Sequence, residues 1–343
     1  MWIFASASLL PGVFILIAAL QGGAWVWAAL GLMTAGIYLL DRLVPARLPP
    51  QSASGIGVAL AQAGLHAVLL PTVVWSLAHG GHPLQQALGL ATSAGLYIGQ
   101  VSNATAHELI HRTNRSVRRV GIVLYCSLLF GHHASAHMLV HHIWVATPKD
   151  PNSARRRESF YRFWIRAWIG SFRAGRLAES KRRIGESPLR HPYVGYGLGA
   201  LAALMIAAAI GGLTGVLIWS GLSVFAQMQL MLSDYIQHYG LRRVIDDTGR
   251  AEPVGPMHSW NGGDWASSAM LLHAPRHSDH HMNPARPFPA LRLTPDTLPH
   301  LPSTFPVMAL LATCPPLWRS IMDPRVDAVL AQTHGIPPTH LTN

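Results

Sequence analysis

Charged side chains are scarce: only 12% of the 343 residues are Asp, Glu, Lys or Arg, against 50% hydrophobic residues. Soluble domains usually carry about 25% charged residues, so the deficit argues against an ordinary soluble class and points to lipid as the solvent. Acidic groups are the scarcer sign, 15 against 26 Lys and Arg, which leaves a formal charge of +11. Lys and Arg are missing altogether from residues 1–41, 48–111 and 191–241. A nucleic-acid surface would not confine its basic groups to the intervening segments, whereas membrane topology would, so nucleic acid is excluded as a partner. Cysteine is nearly absent: Cys126 and Cys314 stand far apart and form no CxxC pair. That excludes a disulfide framework, a zinc ribbon and any built-in iron–sulfur module. A basic n-region is also lacking before the first apolar run, so no cleavable signal is expected.

What is present is apolar length. Residues 3–20, 24–40, 56–78 and 84–105 each approach the ~20 residues that cross a hydrocarbon core. They pair into two hairpins, closed by Gly22-Gly23 and by residues 79–83, and a third hairpin joins 193–209 to 213–234 through Gly211-Gly212. The expected fold is an all-α integral membrane protein of six transmembrane helices in three hairpins. The basic residues place both termini, the insertion 106–191 and everything beyond about 236 in the cytoplasm. Residues 120–130 are apolar but too short to span, so a re-entrant or interfacial piece is expected there. The domain reading is a six-span membrane unit, residues 1–240, and a cytoplasmic helical and loop cap, residues 241–343.

Histidine is abundant, with 20 copies. Three clusters sit on the side assigned by charge: His107-Glu108-Leu109-Ile110-His111, His137-Met138-Leu139-Val140-His141-His142, and His277-Ser278-Asp279-His280-His281. On a helix, i,i+4 spacing puts two imidazoles on one face, as a shared metal requires. A fourth element, residues 234–241 (DYIQHYGL), offers His238 just below the sixth span. One HExxH is also the zincin pattern, with Glu108 as general base, but a catalytic zinc takes three protein ligands and would leave six histidines unused. Copper would accept imidazole, yet no Met or Cys is set beside the clusters to suit its reduced state. Imidazole-rich sites with open positions suit iron and O₂ chemistry, and two irons are the simplest use of nine histidines. Glu108, Asp234, Asp279 and Asp150 are then expected to orient imidazoles rather than bind metal. His132, His133, His258 and His273 read as structural, and His66, His79 and His82 lie too far from the boundary.

These motifs, HELIHR, HMLVHH, DYIQHYGL and RHSDHH, resemble in order and spacing those of the membrane alkane 1-monooxygenases, within the membrane fatty-acid desaturase/hydroxylase superfamily. Residues 145–151 (VATPKDP), 258–261 (HSWN) and 315–323 are similar too, so the resemblance covers about residues 95–325. Where the family usually has Glu and Gly in the second cluster, this chain has Ala136 and Val140; in the fourth element Asp234 and Gln237 replace Asn and Glu. No ligand position is lost. The resemblance implies a di-iron centre on His107, His111, His137, His141, His142, His238, His277, His280 and His281. It also implies O₂ as co-substrate, hydroxylation of a terminal methyl group in the bacterial inner membrane, and electrons from rubredoxin and its NADH-dependent reductase. Arg155, Arg156, Arg157, Lys181, Arg182 and Arg183 are candidates for docking that acidic carrier, with anionic lipid as the alternative partner for the same charges. A lipid or alkyl-aromatic substrate remains an alternative, and a membrane zinc protease a distant one.

Overall fold

The computed structural model describes residues 1–44, 46–293 and 299–334; residues 335–343 of the expected cap lie outside them. The chain is helical, with two isolated β-bridges and no strand among the described residues. In order these are α1 (Trp2–Gln21), α2 (Ala24–Leu43), α3 (Ile56–His79), α4 (Leu84–Tyr97), α5 (Asn103–Ile110), α6 (Arg115–Ser127), α7 (His133–Ala136), α8 (His142–Trp144) and α9 (Phe160–Arg182). They are followed by α10 (Pro192–His238), α11 (Trp265–Met270), α12 (His277–Met282), α13 (Phe305–Ala312) and α14 (Pro315–His334). A π-helical turn, Ile98–Ser102, joins α4 to α5, and another, His137–His141, joins α7 to α8.

Four helices, α1, α2, α3 and α10, are long and apolar enough to cross a membrane. Their outward faces carry exposed Leu10, Val68, Leu198, Leu213 and Leu217. Apolar groups on the outside as well as the inside are what a lipid-solvated helix needs. The expected fourth span is continuous helix from 84 to 110, interrupted only by the π turn. Residues 120–127 form the second half of α6, a 13-residue helix started by Asn114, whose Oδ1 accepts from Ser116 N and Val117 N.

Helix α10 breaks at Gly211 and Gly212, and Gly212 takes φ 57°, a conformation glycine adopts freely. The chain reverses at this break. A Cβ on Gly199 would lie 2.8 Å from Cys126 Cβ, while Trp219 Nε1 donates to Ser127 O at 2.7 Å. Neighbouring residues of α6 are thus touched from both limbs. The turns gather at one end of the bundle: Gly23 N donates to Gln86 Oε1, Ser76 Oγ meets His82 Nε2, and a Cβ on Gly211 would sit 2.9 Å from Ala78 Cβ. No Lys or Arg occurs in these turns.

The opposite end is built from the other helix termini and the long connections. Phe4 of α1 packs edge-on to His273 and Phe288, and Asp41 of α2 accepts from Ala266 N and Ser267 N at the start of α11. The two stretches 144–158 and 237–261 are laced together by Gly240 N to Ala154 O and Arg243 N to Ala146 O, and the second is closed on itself by Trp260 N to Gln237 O. The ends of α5 and α10 therefore meet the second and third histidine clusters in one place.

Candidate metal centre

Helix α5 carries His107 and is capped at its C-terminus by His111, one turn on; their ring centroids are 4.9 Å apart. The second cluster is not α-helical. On a 3.6-residue helix His137 and His142 would point about 140° apart, but the wider i→i+5 turn at 137–141 brings them onto one side. Their Nε2 atoms are 2.9 Å apart, and the His141 ring meets His238 and His281, each at 4.8 Å between centroids. The pair that converges in this cluster is His137 with His142 rather than the i,i+4 pair His137 and His141. On α12 the i,i+4 pair His277 and His281 does converge, with Nε2 atoms 3.1 Å apart.

All nine expected histidines come together, in two groups able to hold a metal ion: His107, His111, His137, His142 and His280 in one, and His141, His238, His277 and His281 in the other. The groups adjoin, since the rings of His142 and His281 are 4.6 Å apart. In the first, Nε2 separations are 3.0 Å for His111–His137, 2.9 Å for His137–His142 and 3.1 Å for His142–His280. In the second, His238–His277 is 2.9 Å. Nitrogens bound to one metal at right angles, with bonds of about 2.1 Å, stand about 3.0 Å apart, whereas tetrahedral ligands stand about 3.4 Å apart. The ligand atoms of each group all lie within 4.8 Å of one another, and the five imidazoles of the first group exceed the four ligands of a tetrahedral zinc.

Protonation fits as well. Burial, reinforced by the neighbouring rings, holds His111, His137, His142, His277, His280 and His281 well below the ordinary histidine range, and His107 falls to about 3. That direction favours the neutral imidazole that ligation requires. His277 Nδ1 donates to Ala274 O at 3.2 Å, which leaves its Nε2 as a bare lone pair. Lone pairs converging at this spacing repel one another unless a cation sits among them.

His141 is held differently. Its Nδ1 donates to Asp150 Oδ2 at 2.9 Å, and its buried Nε2 has no partner among the described residues. Burial would lower His141, but the Asp150 carboxylate outweighs it and the net shift is upward. Ser153 Oγ and Asn152 N also donate to Asp150, at 2.7 and 3.0 Å, and Asn152 Nδ2 donates to Asp234 Oδ2 at 2.6 Å. Asp234 is thus linked to Asp150 through Asn152, and no hydrogen bond from it to an imidazole is found among the described residues. Glu108 pairs with Arg112 and accepts from Phe288 N, and burial lifts its carboxyl to about 7 despite Arg112. Asp279 is taken by Arg286, Asn283 and Arg292 N. Both fasten the 279–292 loop to its surroundings, and neither is bonded to an imidazole among the described residues.

Sequence reasoning missed the amides that set the frame. Gln237 Nε2 donates to Ala274 O at 3.0 Å, and Asn261 Oδ1 accepts from Ser278 N at 2.9 Å. These bonds tie the end of α10 to α12 and so fix His238 against His277. The adjacency of Gln237 to His238, and of Asn261 to the 258–261 motif, was the available signal. His132 and His133 pack among Phe130, Trp168, Phe172 and Tyr125. Among the basic candidates, Arg156 pairs with Asp327 at 2.7 Å, Arg157 with Asp323 at 3.7 Å, and Arg183 with Glu179. Arg155, Lys181 and Arg182 are exposed.

A cavity of about 110 Å³ touches both groups, through His107 and His137 of the first and His277 of the second. Leu230, Ile236, Met270, Leu271, Phe305 and Ala309 form its apolar wall, and Gln100, Asn103 and Gln229 line its far part. Two adjoining all-histidine groups able to hold a metal ion, beside an apolar cavity in a bundle of apolar helices, are what a metal-dependent enzyme acting on an apolar substrate requires.

Sequence comparison agrees with that class. Residues 81–304 match the fatty acid desaturase family. Alkane 1-monooxygenase 2 of Pseudomonas aeruginosa is 35% identical over 327 residues, 90% of this chain and 86% of that protein. The alkane 1-monooxygenase of Acinetobacter baylyi is 36% identical over 248 residues, 70% of this chain and 59% of that protein. The hydroxylase component of the xylene/toluene monooxygenase of Pseudomonas putida is 29% identical over 314 residues, 88% and 82% of the two chains. The chain belongs to the alkane 1-monooxygenase family, within the fatty acid desaturase family. It is an oxidoreductase, a monooxygenase that uses O₂.

Proposed function

We propose that this chain hydroxylates a terminal methyl group of an alkane or similar hydrocarbon, using two iron ions, one on the five-histidine group and one on the four-histidine group. The observation that carries the proposal is the convergence of nine imidazoles, three of which, His107, His137 and His277, line an apolar cavity. Bound there, iron supplies O₂ activation and the oxidising power that a C–H bond demands. The protein buries most of the imidazoles, fixes His141 through Asp150, and keeps the reacting carbon in an apolar pocket. The 110 Å³ cavity is smaller than the ~150 Å³ space that admits benzene, so it takes the end of a chain rather than a whole medium-length alkane.

In this reading six helices cross the bacterial inner membrane as three hairpins, with the metal centre, the 106–191 insertion and the 241–343 segment on the cytoplasmic side. The charge-free turns gathered at the far end support that orientation. Electrons arrive from rubredoxin and its NADH-dependent reductase, docking at exposed basic groups such as Arg155 and Lys181. The likeness to the xylene/toluene enzyme favours a second reading, oxidation of a methyl group on an alkyl-aromatic. The zinc protease is disfavoured, because Glu108 is engaged by Arg112 and Phe288 N. Cells expressing the chain with rubredoxin and reductase, fed alkanes, fatty acids and alkylbenzenes, test the proposal. A primary alcohol from an alkane is expected; product from alkylbenzenes alone would favour the second reading, and no oxygenated product would refute both.

A further inference from the structure

A second and larger space lies away from the metal centre. A groove of about 1280 Å³ runs between α3, α6, the 134–139 segment and the first limb of α10, and none of the nine clustered histidines lines it. Its floor is apolar, and it follows α10 from Pro192 to Ile206, about 21 Å at 1.5 Å per residue. That exceeds the ~15 Å of one leaflet's share of the hydrocarbon core. Its mouth carries Arg118, Arg119, Arg182 and Arg183, with Glu179 as the acid. Glu179 is buried and paired with Arg183. Arg118, Arg119 and Arg182 are exposed, and none has an ion-pair partner among the described residues. Gly64 on α3 and Gly195 on α10 line the groove, and a Cβ on either would meet nothing within 4 Å. The walls therefore hold open a slot that the chain's own side chains do not fill.

We infer that this groove binds one anionic phospholipid, its phosphate against Arg118, Arg119 and Arg182 and an acyl chain along α10 past Gly195. Three unpaired guanidinium groups above an apolar slot select an anionic headgroup joined to a hydrocarbon tail, and a basic pocket between membrane helices is a recognised form of such a site. The slot is separate from the cavity at the histidines, so its lipid is a bound component and not the substrate.

The test uses the full chain purified in mild detergent, with phosphatidylglycerol and phosphatidylcholine as probes and native mass spectrometry as the readout. The protein is expected to retain one phosphatidylglycerol in preference to phosphatidylcholine. In the Arg118→Glu/Arg119→Glu variant that preference should fall by about tenfold or more. In the Gly64→Phe/Gly195→Phe variant retention of both lipids should fall. Metal content and gel-filtration behaviour establish that the variants are folded. Equal retention of the two lipids by the unaltered protein, or an unchanged preference in the charge-reversed variant, overturns the inference.

Discussion

Replacing Asp150 with alanine removes one acceptor from three donors at once: His141 Nδ1 at 2.9 Å, Ser153 Oγ at 2.7 Å and Asn152 N at 3.0 Å. The side chains of His141 and Asp150 are 2% and 0% exposed, so water does not replace the lost bonds without rearrangement. A buried polar group left unpaired costs about 1–3 kcal/mol. Loss of a carboxylate that orients a metal-bound histidine typically costs about 10–100-fold in affinity, or about 1.4–2.7 kcal/mol. Both routes give the same magnitude. The effect should be selective, because His141 belongs to the four-histidine group and the five-histidine group makes no bond to Asp150. Titrating chelator against the purified variant and following iron by mass spectrometry should show one iron leaving about 10–100-fold more readily, with the other unchanged. Asp150→Asn should be milder, since its amide still offers one oxygen. Wild-type retention of both irons in Asp150→Ala, or equal weakening of both, would refute the assignment of His141 to the four-histidine group.

Ala309→Phe should narrow the cavity and lower turnover of a medium-chain alkane by tenfold or more, about 1.4 kcal/mol, while metal content stays the same; unchanged kinetics would show that substrate does not pass this wall. Arg276, buried against the Leu48 and Leu291 carbonyls, should resist conservative exchange: Arg276→Met is expected to destabilise the protein by about 2–4 kcal/mol, read as a fall in melting temperature. Charge reversal at Arg155 and Lys181 should raise the KM for reduced rubredoxin, most strongly at low salt; insensitivity to both would place the carrier elsewhere. Arg156→Ala should cost about 1–3 kcal/mol of stability, because its 2.7 Å pair with Asp327 is mostly buried, 16% and 21% exposed, and Asp327 is left without its partner.

Much of this architecture was legible from the chain alone. Apolar length and the missing basic residues located the helices and their turns, and Gly211-Gly212 marked the break inside α10. Nine histidines were recognisable because their spacing is short-range. How they divide was not, since that depends on the π turn at 137–141, and a one-residue widening of a helical turn leaves no mark in apolar periodicity. The carboxylates divide for the same reason: Asp150 reaches His141 from nine residues away, whereas Glu108 and Asp279, adjacent to histidines in sequence, are drawn off by Arg112 and Arg286. Adjacency along the chain says little about which side of a helix a partner occupies. The Asn152–Asp234 bond, 82 residues apart, is a product of tertiary packing and has no sequence signature.

The central claim is that nine imidazoles hold two irons, and metal analysis of the purified full-length chain tests it most directly. Two irons per chain are predicted, with about one remaining when His238 and His277 are both replaced by alanine. One zinc per chain, and no iron after growth in iron-replete medium, would contradict it.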